Sequence, residues 1–200
     1  METGGWGKAN PENLSEKSFI ETVKIVQGII DRVKPATAKL VMETESYLFP
    51  DGPEEYLRII NAVDRKEFAV HFDPVNIIAS PRRYYFNGQF IKKCLALLGQ
   101  YVVSCQAKDL NMAPIYPTVR IDATFIGNGV LDYDTYLKEI CKLRPAPTLM
   151  IEHLNESQLI KGLKFIYRKA AEAGIVFESS QNREDLSEEN ASQEYFAPHQ

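Results

Sequence analysis

The chain has 200 residues, 44% hydrophobic and 25% charged, the balance of a globular protein with one sizeable core. Its net charge of −4, with 23 scattered Lys and Arg residues, offers no basic footprint for nucleic acid. No apolar run approaches the roughly 20 residues of a membrane span and the N-terminus lacks a secretion-signal pattern, so the expectation is a cytoplasmic protein with neither membrane nor nucleic-acid partners. The cysteines, Cys94, Cys105 and Cys141, form no CxxC pair and are read as buried free thiols.

In chain order, Phe19, Val23, Val26, Ile30 and Val33 recur at helical spacing behind a candidate cap at Ser15. A first strand is expected in "AKLVMETE", ending near Glu45. Pro53, followed by Glu54 and Glu55, then opens a second helix: proline has no donor to lose there, and acids suit the positive end of the helix dipole. A second strand, "EFAVHFDPVN", ends near Asn76, and "GQFIKKCLALLG" reads as a helix stopped by Gly99. A third strand is "YVVSCQAKDL". Asp132 caps "YDTYLKEICKL", "PTLMIEHL" is a fourth strand, and Asn155 with Gln158 resembles a capping box for the last helix. "GNG" at Gly127 to Gly129 is read as a turn and not a phosphate loop. A helix followed by four strand-helix pairs predicts an α/β fold of parallel βα units. Residues 1–177 are read as one domain, and the polar segment 178–200 as a mobile tail.

Alternation splits each strand into two rows. Leu40, Met42, Phe68, Val70, Phe72, Val103, Cys105, Leu149 and Ile151 form an apolar row fit to lie under helices. The other row runs from Val41 to Glu43, from Ala69 and His71 to Asp73, from Val102 and Ser104 to Gln106, and from Met150 to Glu152. Each turns polar at its C-terminal end, and parallel strands bring those ends to one mouth, where ligands of such folds bind. Three converging carboxylates repel one another unless a cation holds them, and a divalent metal is the simplest candidate.

"LVMETES", "VHFDPVN", "AKDL", "GNGVLDYDTYLKEI" and "LMIEHL", in this order, resemble the sugar phosphate isomerase/epimerase group, the xylose isomerase-like TIM barrels that include ketose 3-epimerases and inosose dehydratases. The resemblance runs from Met1 to about Gly174. It implies a partial TIM (β/α)8 barrel made of about the last four βα units, with outer helices. "METGGWGKANP" matches the segment after the family's fourth strand, so the earlier units are expected to be absent and two copies could close on each other as a homo-oligomer. The resemblance implies metal ligands at Glu43, Asp73, Gln106 and Glu152 and a divalent ion, manganese, magnesium, cobalt or zinc. Glu43 and Glu152 would be the catalytic pair that shuttles a proton through an enediolate. Asn76 would contact a substrate hydroxyl, and Lys108 would bind a substrate oxygen. The family's "HxKD" is here "QAKD", and an amide carbonyl is a poorer zinc partner than imidazole.

The expected function is a metal-dependent isomerase or epimerase acting on a sugar or sugar phosphate. The alternatives are an inosose dehydratase-like lyase, or a nonenzymatic remnant serving as a binding module. A nuclease, as in other relatives of the barrel, would need more histidine ligands at strand ends. His71 is read as a hydrogen-bonded core residue, while His153 and His199 are not read as ligands.

Overall fold

The computed structural model describes residues 9–152 and 154–177; the expected tail at 178–200, His153 and His199 lie outside the described residues. The four apolar runs become strands β1 (Leu40–Glu43), β2 (Phe68–Phe72), β3 (Val102–Ala107) and β6 (Thr148–Ile151). They form one parallel sheet in the order β1-β2-β3-β6.

The crossovers are helical, as parallel pairing requires. Helix α1 (Glu16–Val33) starts where Ser15 accepts a hydrogen bond from the Ser18 amide. Helix α2 (Pro53–Val63) begins on the expected proline. Two short helices, α3 (Pro74–Ile77) and α4 (Pro81–Tyr85), precede α5 (Asn87–Leu98), and Gly99 opens a 3-10 turn at the end of α5. Asp132 caps α6 (Tyr133–Ile140), and both halves of the Asn155–Gln158 capping box are present at α7 (Glu156–Glu172).

One face of the sheet lies under these helices. Met42, Val70, Phe72 and Cys105 are buried there against Val26, Ile59, Ile91, Leu98 and Leu137, each large side chain contributing about 1.5–3 kcal/mol of apolar burial. The apolar row departs from strict alternation in β3. Val70 pairs with Val102 but His71 pairs with Ser104, so a bulge absorbs one residue. Val102, expected in the mouth row, is therefore buried in the core, and Val103 is only partly buried. Cys94 and Cys105 are buried as expected, whereas Cys141, at the C-terminus of α6, is exposed.

The sequence reading missed an antiparallel hairpin made of β4 (Asp109–Ile115) and β5 (Thr118–Thr124). It rises directly from the end of β3, and its Leu110–Ala123 and Met112–Ile121 pairs put apolar residues on one face.

Candidate active site

Because the sheet is parallel, the C-terminal ends of its strands lie on one side. Glu43 is the last residue of β1, Asp73 follows β2, Gln106 is next to last in β3 with Lys108 just beyond, and Glu152 follows β6. Two hydrogen-bonded chains of polar groups occupy this mouth.

The first begins at Asp73, which is fully buried. Its Oδ1 caps α3, accepting from the Val75 amide at 2.9 Å and the Asn76 amide at 3.4 Å. Its Oδ2 accepts from Lys108 Nζ at 2.8 Å, and that ammonium also donates to Asn76 Oδ1 at 3.1 Å. Asn76 Nδ2 in turn donates to Glu43 Oε1 at 2.8 Å. Glu43, Asp73, Asn76 and Lys108 are thus one connected network. Partial burial, then the negative charge of Asp73, raises the Glu43 pKa from 4.5 to about 7, with Lys108 pulling the other way and Glu152 and Glu45 adding to the rise.

The second chain is built on β3. Gln106 Nε2 donates to Glu152 Oε2 at 2.8 Å, and Gln106 Oε1 lies 3.5 Å from His71 Nε2. His71 Nδ1 lies 2.8 Å from Ser104 Oγ. A proton on Nε2, with the Ser104 hydroxyl donating to Nδ1, satisfies every member. His71 is therefore the hydrogen-bonded interior histidine that its position suggested.

Several residues that the sequence reading missed hold these groups in place. Tyr136 and Tyr133 donate their hydroxyls to the carbonyls of Gln106 and Lys108, both at 2.9 Å, tying the end of β3 to α6. Their spacing of three on one helix face was the available signal. Thr44 Oγ1 donates to the Asp73 carbonyl at 2.9 Å. Asp109 is buried and its carboxylate accepts hydrogen bonds from four backbone amides. Leu110 and Leu131 donate to Oδ1 at 2.9 Å, and Gly127 and Gly129 to Oδ2 at 3.0 Å. This explains Gly129: a Cβ there would lie 2.2 Å from Asp109 Oδ1. The "GNG" segment is a turn folded around a carboxylate, as expected of a turn and not of a phosphate loop.

Two open clefts flank the β4–β5 hairpin. One, of about 360 Å³, is lined by Lys108 and Glu152 with Ala123, Phe125 and Leu154. The other, of about 310 Å³, is lined by Glu45, Ser46 and Asn76 with Val119 and Ile121. The hairpin thus gives both clefts an apolar wall beside a polar floor.

Solved structures with a similar fold include a xylose isomerase domain protein from Planctomyces limnophilus, with TM-score 0.63 and 22% identity over 82% of this chain and 56% of that one. A xylose isomerase-like TIM barrel protein from Mycobacterium smegmatis, in complex with magnesium, matches with TM-score 0.64 and 12% identity over 83% of this chain and 59% of that one. The fold is that of part of a xylose isomerase-like TIM barrel. A D-allulose 3-epimerase from Methylomonas sp. shares it, with TM-score 0.58 and 13% identity over 80% of this chain and 58% of its own. The chain therefore spans less than two thirds of each of these xylose isomerase-like barrels. No family model and no curated protein matches the sequence.

The four residues expected to hold a metal lie around one mouth but do not form a ligand set. Among the described residues, no group of three or more His, Cys, Asp or Glu side chains is placed to hold an ion. Both Asp73 oxygens are taken by N–H donors, and Gln106 turns its NH2 toward Glu152. The donors as arranged do not fit a divalent ion.

Proposed function

We propose that this xylose isomerase-like mouth carries out proton transfer beside the carbonyl of an unphosphorylated sugar, as in a ketose epimerisation or an aldose–ketose isomerisation. The observation that carries the proposal is the placement of Glu43 and Glu152 at the ends of the two outer strands of the sheet, with Gln106 and Lys108 between them. Two carboxyl groups on either side of a bound sugar carbon can remove a proton from one face and return one to the other or to the neighbouring carbon.

Glu43 suits the proton-carrying role, since a pKa near 7 keeps it partly protonated at neutral pH. Asn76 holds it by one oxygen, leaving the other to reach substrate. Lys108 directs two N–H groups at Asp73 and Asn76. An ammonium has three donors, and the remaining one can meet the sugar oxygen on which charge grows as the enediolate forms. Gln106 keeps Glu152 oriented through the 2.8 Å bond.

The choice of an unphosphorylated sugar follows from charge. Among the described residues that line the two clefts, Lys108 is the one cation, and it faces Asp73, while Glu45 and Glu152 also line them. A phosphate dianion would meet net negative charge there. The test is to incubate the purified chain with free ketohexoses and ketopentoses, and separately with their phosphates, and to separate products by chromatography. Epimer or aldose appearing from a free ketose, and lost in Glu152→Gln, supports the reading. No conversion of any sugar by the folded chain refutes it.

A further inference from the structure

We infer that the site works without a metal ion, its carboxylates being satisfied by Lys108 and Gln106 in place of a divalent cation. The inference rests on the reading of this mouth as the working site, and it is argued from which atoms are already engaged.

Asp73 Oδ2, the oxygen not used to cap α3, is ion-paired to Lys108 at 2.8 Å, with the carboxylate fully buried and the ammonium side chain only 11% exposed. A metal bound at that oxygen would either set a second positive centre against the ammonium on one buried carboxylate or displace the ammonium, which would then need another buried partner. On the other side, Glu152 Oε2 receives the Gln106 amide N–H. An imidazole at position 106 could offer a ring nitrogen lone pair to an ion, whereas the NH2 of an amide offers none. Rotating the amide to present its oxygen would bring that oxygen against the Glu152 carboxylate and an NH2 against His71 Nε2, which would require the other His71 tautomer and a reversed hydrogen bond to Ser104. Both carboxylates thus already accept N–H donors supplied by the protein. The two donors lie in the same "QAK" segment and their backbone is fixed from one helix, since Tyr136 and Tyr133 hold the carbonyls of Gln106 and Lys108.

The test reads metal occupancy, so it is separate from whether sugars are turned over. Native mass spectrometry is recorded on the full chain with manganese chloride added, for the wild type and for the double variant Gln106→His with Lys108→Met. The expected result is no specific manganese on the wild type and one manganese per folded double-variant chain, because that variant restores a lone pair and releases Asp73 Oδ2. One manganese per wild-type chain, lost in Glu152→Gln, would overturn the inference, as would a folded double variant that takes up none. Should the double variant not fold, the wild type alone decides: micromolar manganese should leave the side-chain amide NMR signals of Asn76 and Gln106 sharp, and their selective broadening would overturn the inference.

Discussion

Replacing Lys108 by Met isolates the contribution of its ammonium. Asp73 would stay fully buried with its Oδ1 still bonded to the Val75 amide at 2.9 Å, but Oδ2 would lose its partner at 2.8 Å. Removing one member of a buried ion pair leaves an uncompensated charge and costs about 3–5 kcal/mol, whereas replacing both members by neutral groups is far cheaper. Asp73→Asn keeps an acceptor for the α3 cap while removing the charge. The double variant Lys108→Met with Asp73→Asn should therefore be more stable than Lys108→Met alone by about 2–3 kcal/mol, although it carries one more substitution. Urea unfolding followed by far-UV circular dichroism measures this, provided the m-values agree. A double variant no more stable than the single one would refute the view that Lys108 neutralises Asp73.

Three further predictions concern the groups around this pair. Glu43 is a carboxyl group whose folded pKa, about 7, lies above its ordinary 4.5. Its stabilising contribution is full below pH 4.5 and is lost as pH rises through 7. A rise from 4.5 to about 7 corresponds to about 3 kcal/mol, reduced to about 1–2 kcal/mol by solvent screening at this partly exposed position. Glu43→Gln should therefore gain about that much relative to the wild type between pH 5 and pH 8, and equal differences at both pH values in thermal or urea unfolding would contradict it. Asp109→Ala strips four backbone amides of their acceptor and should cost about 3–5 kcal/mol. Hydrogen exchange should then speed up at residues 127–131 before it does in β2. Gly129→Ala forces a Cβ to within 2.5 Å of the Leu110 carbonyl oxygen and should lower stability by about 2 kcal/mol or more, read as a fall in the urea midpoint.

The alternation of each strand made the mouth legible, because a period of two decides which residues share a face and parallel connection decides which ends meet. Caps were legible for a similar reason. Ser15, Asp132 and Asn155 act through their own backbone neighbours, so the sequence window contains the whole interaction. Three things needed coordinates. The bulge that buries Val102 depends on how β3 pairs with β2 and leaves no local signature. The hairpin was obscured because Pro114 lies inside its first run, with Pro117 in the turn that follows, although Leu110 and Met112, with Val119, Ile121 and Ala123, do alternate. Finally, the family resemblance implied a ligand set at Glu43, Asp73, Gln106 and Glu152, but which hydrogen-bond partner satisfies each oxygen is a long-range property. Lys108 lies 35 residues from Asp73, and Gln106 lies 46 from Glu152.

The most direct test of the proton-transfer reading follows hydrogen itself. A free ketohexose is incubated with the chain in D2O and the carbon-bound hydrogens beside the carbonyl are followed by NMR. The account predicts deuterium entering at one carbon next to the carbonyl, with the exchange lost in both Glu43→Gln and Glu152→Gln and retained when metal chelator is present. Exchange that persists in both glutamine variants, or none at all with the folded wild-type chain, would contradict it.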